Sequence, residues 1–487
     1  MTDPLMKVRL DHLERLSARG IDPYPARVPP VEPIGGVIKR HTGEGEDNPD
    51  RVTIAGRLVG FRRMGKASFF DLRDGSGKIQ VHATLDSLGE EGYASLGETD
   101  IGDFLAVSGS VFRTKRGELT VRAEEWTFLA KAIRPLPEKW HGLKDVELRH
   151  RHRSLDLIAN ESTRERFIRR SRMISSIRRL LDERGFIEVE TPVMQPIAGG
   201  ALARPFVTHH NALDIDLYLR ISLELYLKRL LVGGIDRVYE IGKCFRNEGI
   251  SSEHNPEFTM LEVYQAYADY EDMMDLAEAL VTEALGSVLD SLTIERDGKE
   301  IDFSPPWRRV RMFDAILDSC GIDVSSLSAE EIRKAASAKG IELPDEEAGR
   351  LIEGLFERFV EPGLVSPTFV YDYPVSISPL AKRSPDDERI VERFELFAGG
   401  MELANAFTEL NDPIDQRRRF ERQQELREGG DDEAHRMDED FLFALEHGMP
   451  PAGGMGIGID RLAILITGAE SIRDVILFPT LRGRGEK

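Results

Sequence analysis

The middle of the chain carries the pattern of a long antiparallel hairpin, which limits the fold more than any other segment. Residues 238–245 and 258–267 are rich in β-branched and aromatic side chains, and turn-forming residues occupy 249–256 between them. Side chains alternate along a strand, so Arg246 and Glu248 share one face. A solvated sheet face would explain alternating charges equally well. The pattern therefore predicts an antiparallel sheet and leaves the role of its charged face open.

A second kind of β-structure is predicted between residues 52 and 129. Five short alternating segments follow one another, with a hairpin turn at Asp74-Gly75-Ser76-Gly77. Five short strands match an OB barrel, a fold that commonly holds single-stranded nucleic acid on exposed aromatic rings. Phe69 is the candidate for stacking, and Arg62 and Gln80 are the candidates for contacts to base edges.

Alternation along the strand leaves another interpretation of these barrel residues open. One of Phe69 and Phe70 must point into the barrel, and Gln80 can be an ordinary polar residue of the outer face.

Composition narrows the class of protein and its compartment. A chain of 487 residues is too long for one core, so two or three domains are expected. The net charge of -21 argues against a general nucleic-acid or membrane binder, although residues 51–150 carry slightly more basic than acidic side chains. Cys244 and Cys320 have no metal-type spacing, and no leader or membrane-span pattern is present. These features favour a reducing cytoplasm.

Two further segments place charged residues beside glycines. Alternating glycines between Gly453 and Arg461 allow close approach of the backbone to a flat ring, and Arg461 lies at the start of a predicted helix. A two-residue turn at Gly399-Gly400 would place residue 397 opposite Glu402, with Glu395 diagonal to Glu402 on one face. The two carboxylates could then reach one magnesium cluster, or they could be solvated on a surface hairpin.

Residues 162–192 read as a helix followed by a strand that ends at a proline. Ser162 and Glu165 have the spacing of a capping box, and Gly185 is the predicted end of the helix. Such a unit is common and indicates little by itself.

Together, these segments resemble the three signatures of the class II aminoacyl-tRNA synthetases. Residues 162–192 resemble the first signature, 245–264 the second and 453–461 the third. Within the second, the runs Glu-Gly-Ile, His-Asn-Pro-Glu-Phe-Thr and Glu-x-Tyr-x-Ala-Tyr look like the bacterial lysyl branch of subclass IIb. The barrel pattern is similar to the anticodon-binding domain of that subclass, in which a Phe and a Gln read the central uridine.

The resemblance implies an α+β multidomain fold. An N-terminal OB-fold β-barrel would precede a class II catalytic domain, in which helices flank an antiparallel β-sheet. The implied layout is an N-terminal helix and linker at 1–50, the anticodon-binding barrel at 51–130, a linker at 131–160, and the catalytic domain at 161–487 with a helical insertion at about 315–365.

The implied activity is activation of L-lysine with ATP and transfer of the lysyl group to tRNA(Lys). Mg²⁺ would be bound by Glu395 and Glu402, and a homodimer would form through residues 162–192 in the cytoplasm, without a membrane partner. Adenylate formation gathers anions, which suits the planar charged fork of arginine, and a cationic substrate needs carboxylates in its pocket.

The resemblance also assigns individual residues. Arg246 and Arg461 are the implied catalytic residues, at the α-phosphate and the γ-phosphate respectively. Glu224 and the Gly200 backbone would take the α-amino group, and Glu409 with Tyr264 the ε-ammonium group. The implied ATP-binding residues are Arg246, Glu248, His254, Asn255, Phe258, Glu395 and Arg461. The implied lysine-binding residues are Gly200, Glu224, Arg246, Glu262, Tyr264, Asn405 and Glu409.

The spacing of positions 402, 405 and 409 fits one face of a helix better than a flat strand, so either a helix or a bulge is expected there. Glu253 stands where a basic residue often precedes His-Asn-Pro, and Leu223 replaces a common proline. The alternatives are an aspartyl or asparaginyl synthetase, an inactive synthetase-like tRNA-binding protein, a paralogue that attaches lysine to a protein, and a membrane-fused lysyl-lipid synthase. An aspartyl or asparaginyl synthetase would need cationic side chains in its pocket. The paralogue that attaches lysine to a protein lacks the barrel, and the lysyl-lipid synthase needs membrane spans.

Overall fold

The fold is described from a computed structural model, which divides into two compact units, Met1–Lys144 and Asp145–Lys487. No helix in the described residues combines the length and apolar character that crossing a bilayer requires. The structure describes residues 3–42, 50–136, 143–325, 328–431 and 433–483.

The first unit contains a closed β-barrel. Its elements are α1 (Pro4–Ala18), α2 (Ile34–Arg40), β1 (Arg51–Met64), β2 (Ala67–Arg73), β3 (Lys78–Thr84), α3 (Leu85–Leu96), β4 (Phe104–Arg113) and β5 (Leu119–Ala130). The strands pair in the order β1-β2-β3-β5-β4 and close on themselves. Alternating apolar residues such as Ile54, Phe70 and Val81 fill the interior, as the period of a strand requires. The five strands predicted from the sequence are therefore confirmed.

The second unit is built on an eight-stranded sheet. Its first elements are α4 (Val146–Arg151), α5 (Arg153–Ala159), α6 (Glu161–Glu183), β6 (Ile187–Glu188), β7 (Met194–Gln195), β8 (Val207–His210), β9 (Ile215–Leu219), α7 (Glu224–Val232), β10 (Arg237–Phe245), β11 (Glu257–Ala266) and α8 (Tyr270–Gly286). There follow β12 (Thr293–Arg296), β13 (Lys299–Asp302), β14 (Arg308–Arg311), α9 (Met312–Cys320), α10 (Ala329–Ala338), α11 (Ala348–Phe359) and a 3-10 turn (Glu361–Gly363). The last are β15 (Thr368–Pro374), a 3-10 turn (Val375–Ile377), β16 (Ile390–Ala398), β17 (Met401–Thr408), α12 (Pro413–Glu428), α13 (Glu439–Leu445), β18 (Ala452–Gly458), α14 (Ile459–Thr467) and α15 (Ile472–Val475).

The strand order of this sheet is β14-β15-β16-β17-β18-β11-β10-β6. Only the pairs at its two edges, β14 with β15 and β10 with β6, are parallel. The hairpin predicted at 238–267 is confirmed as β10 and β11, paired antiparallel from Arg237 to Phe245. The α+β fold class with a large antiparallel sheet is confirmed as well.

Alternation gives the two faces of the sheet different partners. Leu261 and Val263 pack with apolar residues of α6, α8 and α14 in one core. Glu262 and Tyr264 project from the other face. One face of the sheet therefore supports the fold, and the other is free to carry a site.

The start of helix α6 differs from the predicted capping box. The helix begins at Glu161, and its N-cap is Asn160, which makes no side-chain cap hydrogen bond. The reason is that Asn160 Nδ2 donates instead to Asp156 Oδ1, 2.6 Å away in the preceding helix α5. Gly185 follows the helix with φ +79°, a left-handed conformation that favours glycine, as predicted.

The stretch 131–160, interpreted above as a linker, is packed structure in its second half. Helices α4 and α5 occupy 146–159 and belong to the second unit. The guanidinium of Arg153 is buried, pairs with Asp156 at 2.6 Å, and donates to backbone carbonyls near residue 476.

Helices α9 to α11 lie in the region interpreted as an insertion. They have an apolar core of their own, which they share with residues of β15 and β16.

Candidate active site

A cavity of about 350 Å³ opens on the sheet face opposite helices α6, α8 and α14. The predicted ATP, lysine and metal residues found in its walls are Gly200, Glu224, Arg246, Glu248, His254, Asn255, Phe258, Glu262, Tyr264, Glu395, Glu402, Asn405 and Arg461. Glu409 is the remaining member of these sets, and it lies just outside the lining as a fully buried side chain next to Gly454.

A β-bulge accounts for the spacing of Glu402, Asn405 and Glu409. The pairing of β16 with β17 shifts by one residue at Leu403, which has no partner opposite it. The extra residue brings Glu402 and Asn405 to one face although they are an odd number of positions apart. Phe397 lies opposite Glu402, as the predicted glycine turn requires. Of the two solutions expected for this spacing, the bulge is the one the chain adopts.

Three buried carboxylates converge at one end of the cavity, which we call the acidic end. They belong to Glu224 on α7, Glu262 on β11 and Glu409 just after β17. Burial disfavours their charged forms and raises the pKa of all three, to about 7 for Glu224. Such a site binds cations well, because a cationic ligand restores the charged forms.

Glu262 is held in place by three donors. Ser222 Oγ and the Leu223 amide donate to one carboxylate oxygen at 2.7 and 2.9 Å, and Tyr264 Oη donates to the other at 2.9 Å. The resemblance implies that Tyr264 and Glu409 together bind the ε-ammonium group, and in the structure the tyrosine hydroxyl bonds Glu262, its neighbour on one face of β11. The Leu223 amide also gives the departure from proline a structural role, since proline has no N–H to donate.

Gly454 is required by close packing at the acidic end. A Cβ at this position would lie 2.5 Å from Cε1 of Tyr264 and would overlap the carboxylate of Glu409. The sequence interpretation placed the alternating glycines beneath a flat ring. In the structure Gly454 faces the acidic end, and Gly458 lies beside Arg461. The glycines therefore serve different parts of the cavity.

Gly200 approaches the same end of the cavity through its backbone. It has φ +87°, and a Cβ there would lie 2.8 Å from Ser222 Oγ and 3.1 Å from Glu224 Cβ. Glycine is therefore the residue that fits this turn, and its backbone lies next to the side chains of Ser222 and Glu224.

Arg246 differs from the other cavity arginines in its contacts. Its guanidinium carbon lies 5.1 Å from the ring centroid of Phe258, and its buried Nε has no hydrogen-bond acceptor. It makes no ion pair with any residue in the described part of the chain, yet it lines the cavity. A guanidinium fork held in this way is ready to bind carboxylate or phosphate oxygens.

Arg461 also lines the cavity, but unlike Arg246 it is paired. Its Nη1 donates to Glu402 Oε2 at 2.9 Å, and its Nη2 lies 3.3 Å from His254 Nε2. A guanidinium only donates, so Nε2 of His254 accepts, and the ring proton sits on Nδ1, 2.9 Å from Ser251 Oγ. Burial lowers the pKa of His254, in agreement with this neutral form. The sequence analysis gave no role to Glu253. Its negative charge favours the charged form of Arg461.

Asp460 fixes the start of helix α14 beneath Arg461. Its carboxylate accepts from the Thr259 amide and from Arg170 Nη2, both at 2.7 Å. Segments 162–192, 245–264 and 453–461 thus meet at one carboxylate. The three sequence signatures form one connected structure.

Glu395 is held by neighbours that the sequence analysis did not identify. Arg393 Nη2 donates to it at 2.6 Å and Tyr373 Oη at 2.9 Å. Burial raises the pKa of Glu395 to about 7, and the negative charge of Glu402 adds to this effect. Two cavity carboxylates that repel each other fit a hard divalent cation, although no cluster of three candidate ligands occurs in the described residues. The remaining ligands would then come from phosphate oxygens and water.

The barrel presents the other predicted site on its outer face. Phe70 is the ring that points inward, at 2% exposure, so Phe69 faces outward. Phe69 stacks on His82 with a centroid distance of 4.5 Å, and Arg62 lies opposite Phe69 on the neighbouring strand. Gln80 shares this face and accepts from Thr120 Oγ1 at 3.2 Å, which leaves its amide donors available.

Sequence reasoning missed His82, Arg393 and Lys228, a buried lysine that contacts the acidic end. His82 follows Gln80 by two positions, so strand alternation places it on the candidate surface. Lys228 follows Glu224 by four positions, the spacing of a helical ion pair. Both signals were present in the sequence. Arg393 alternates with Glu395 in the same way.

Comparison with known proteins agrees with this geometry. Residues 145–482 match the family model for class II tRNA synthetases (D, K and N), and residues 52–129 match the OB-fold nucleic acid binding domain. The chain is 56% identical to a protein of Moorella thermoacetica named lysine–tRNA ligase, over 99% of this chain and 98% of that protein. Proteins of the same name from Pelotomaculum thermopropionicum and Bacillus subtilis are 55% and 52% identical, over 99% and 98% of this chain and 95% and 97% of theirs.

These matches span the whole described length and agree with the three connected signatures and the acidic end. The resemblance inferred from the sequence is thereby confirmed. The chain belongs to the lysine–tRNA ligase family of class II aminoacyl-tRNA synthetases.

Proposed function

We propose that this protein activates L-lysine with ATP to lysyl adenylate and transfers the lysyl group to tRNA(Lys). The observation that carries the proposal is one cavity that brings together Arg246, which makes no ion pair within the described residues, and three buried carboxylates. An amino acid with a carboxylate at one end and two ammonium groups matches this distribution of charge. The names of the relatives support the same activity.

Each residue has a part in this proposal. Arg246 binds the lysine carboxylate and the α-phosphate and so lowers the repulsion between nucleophile and electrophile. Asn405 joins it at the carboxylate, while Glu224 and the Gly200 backbone hold the α-amino group. Glu409 takes the ε-ammonium group. The hydroxyl of Tyr264 acts through Glu262, which it orients.

The phosphate end of ATP lies at Arg461 and His254 in this proposal. When ATP binds, Arg461 releases Glu402 and binds the γ-phosphate. Glu248, Asn255 and Phe258 complete the nucleotide pocket. Glu395 and Glu402 would hold Mg²⁺, which offsets the negative charge of the triphosphate. The mutual repulsion of these two carboxylates supports a cation between them.

The aspartyl and asparaginyl alternatives are not favoured, because an acidic substrate needs a cation where this cavity has three carboxylates. An inactive relative is not favoured either, since Arg246, Arg461, Glu395 and Glu402 all line the cavity.

A homodimer through residues 162–192 is part of the proposal. Ile187 is 54% exposed, and Val193 and Met194, which follow it in the sequence, are also exposed apolar residues. Exposed apolar residues of this kind are common at subunit interfaces. We also place the protein in the cytoplasm, where its two free cysteines would stay reduced.

The activity is tested by lysine-dependent exchange of pyrophosphate into ATP, followed by charging of a tRNA with a UUU anticodon. We expect exchange with lysine and none with aspartate. Equal exchange with both, or none with lysine, would contradict the proposal.

Gly454→Ala is expected to raise the KM for lysine about 100-fold, because the added methyl group displaces Glu409 and Tyr264 from the acidic end. The KM for ATP should stay within a factor of about 3. Gly400→Ala, where a Cβ has open space but φ is +72°, controls for strain at a glycine of the same sheet. An unchanged KM for lysine in Gly454→Ala would contradict the assignment.

Phe69→Ala is expected to raise the KM for tRNA(Lys) about 10-fold, because a base loses its stacking partner on the barrel. Pyrophosphate exchange, which needs no tRNA, should not change. Met64→Ala, at another exposed position of the barrel, serves as the control. Loss of exchange in Phe69→Ala would point to a folding defect and contradict this role.

A further inference from the structure

A lysine of the chain itself lies at the acidic end. Lys228 stands on α7, one helical turn after Glu224, and its side chain is fully buried. Its Nζ lies 2.5 Å from Glu224 Oε1 and also contacts Glu409 Oε2. The same atom is 5.2 Å from the ring centroid of Phe407, which lines the cavity.

The contacts of this ammonium group favour its charged form. Burial acts against the charged form, but the carboxylates of Glu224 and Glu409 outweigh it and raise the pKa of Lys228. A buried lysine is costly to desolvate and contributes little stability compared with an apolar residue of the same size. Its position between two proposed substrate ligands therefore calls for a role in binding.

The charges at the acidic end define that role. Glu224, Glu262 and Glu409 supply three carboxylates against the one ammonium of Lys228, so full ionisation leaves a shortage of two positive charges. Lysine brings two ammonium groups to this end, and its carboxylate is directed to Arg246.

The other titratable groups near the acidic end leave this count unchanged. Arg393 is paired with Glu395. Burial keeps His435 neutral by lowering its pKa to about 4, and burial also raises the pKa of Cys244 to about 12 and that of Tyr264 well above its usual value.

We propose that Lys228 is a specificity-determining residue that limits the acidic end to amino acids with two ammonium groups. It does so by supplying one of the three positive charges that the fully ionised carboxylates need, so that the bound amino acid must bring the other two. The inference rests on the proposed function. An amino acid with an uncharged side chain, such as norleucine, leaves one buried carboxylate without a cation and is rejected.

Removal of the internal ammonium should relax this selection. Without Lys228, Glu224 and Glu409 lose the cation between them in a buried site, and both take up a proton at neutral pH, so the shortage of positive charge falls from two to one. A neutral carboxyl group binds an ammonium group less well and tolerates an apolar side chain better. Lysine should lose affinity while norleucine gains it.

The test is pyrophosphate exchange by Lys228→Met, whose side chain has similar length and no charge. We expect the KM for lysine to rise about 30-fold, with the KM for ATP and kcat within a factor of about 2. The ratio of kcat/KM for lysine over norleucine should fall about 100-fold. Lys228→Gln retains hydrogen-bond donors without charge and should lose selectivity to the same extent.

Lys131→Met is the matched control, because Lys131 is equally buried and is paired with Asp100 and Asp103 in the barrel unit. It should lower the melting temperature and leave the KM for lysine unchanged. If Lys228→Met or Lys228→Gln kept a selectivity within a factor of about 2 of wild type, the inference would be overturned. An equal rise in the KM for ATP and the KM for lysine would also overturn it. Absence of lysine-dependent exchange in the wild type would instead overturn the proposed function.

Discussion

Replacement of Glu409 by glutamine is expected to raise the KM for lysine about 100-fold, since the ε-ammonium group loses a buried, charged acceptor. Glu409 is fully buried and contacts only one cation in the described residues, Lys228. The amide keeps the size of the side chain, so the cavity should retain its shape. The KM for ATP, measured in the same exchange assay, should stay within a factor of about 3.

Glu240→Gln is the matched control for this variant. Glu240 is also a buried carboxylate of the sheet, but it bonds Thr191 and Arg220 and lies outside the cavity lining. We expect a lower melting temperature and an unchanged KM for lysine. If Glu409→Gln weakened ATP and lysine to the same degree, the assignment of Glu409 to the ε-ammonium group would be wrong.

Replacement of Arg246 by alanine is expected to lower kcat/KM for exchange about 1000-fold. The reason is that one guanidinium is proposed to bind both reacting groups, the lysine carboxylate and the α-phosphate, where charge develops. The drop should be larger in kcat than in the two KM values, because the contact to the phosphate strengthens in the transition state. Steady-state exchange kinetics, with each substrate varied in turn, measure the separate effects on kcat and on the two KM values.

Arg237→Ala provides the comparison at the other end of the same strand. Arg237 is exposed and donates to the Arg184 carbonyl at 2.6 Å, outside the cavity. Its removal should change exchange less than about 2-fold. Retention of more than about one tenth of wild-type activity in Arg246→Ala would refute the proposed role.

Much of the fold followed from local patterns. The hairpin of β10 and β11 was predictable because alternating side chains and a turn-rich segment have a short-range cause. The position of Phe397 opposite Glu402 followed from the glycine turn in the same way. The start of α6 did not, because Asn160 bonds Asp156 instead of capping its own helix.

The candidate site was also only partly predictable from the sequence. The signatures identified Arg246, Arg461 and the carboxylates by type and spacing. They did not indicate that Arg246 makes no ion pair among the described residues or that Arg461 is bonded to Glu402, because each state depends on residues from distant segments.

The sequence by itself determined that the chain has a barrel and an antiparallel sheet, and that one sheet face carries an arginine and several carboxylates. These properties depend on alternation and turn chemistry, which act over a few residues. Only the tertiary structure decided which distant groups meet: Lys228 with Glu409, and Ser222 with Glu262. The energy of a buried ion pair depends on distances of a few ångströms in a low dielectric. Those distances are set by the packing of helix α7 against the sheet, which no local pattern encodes.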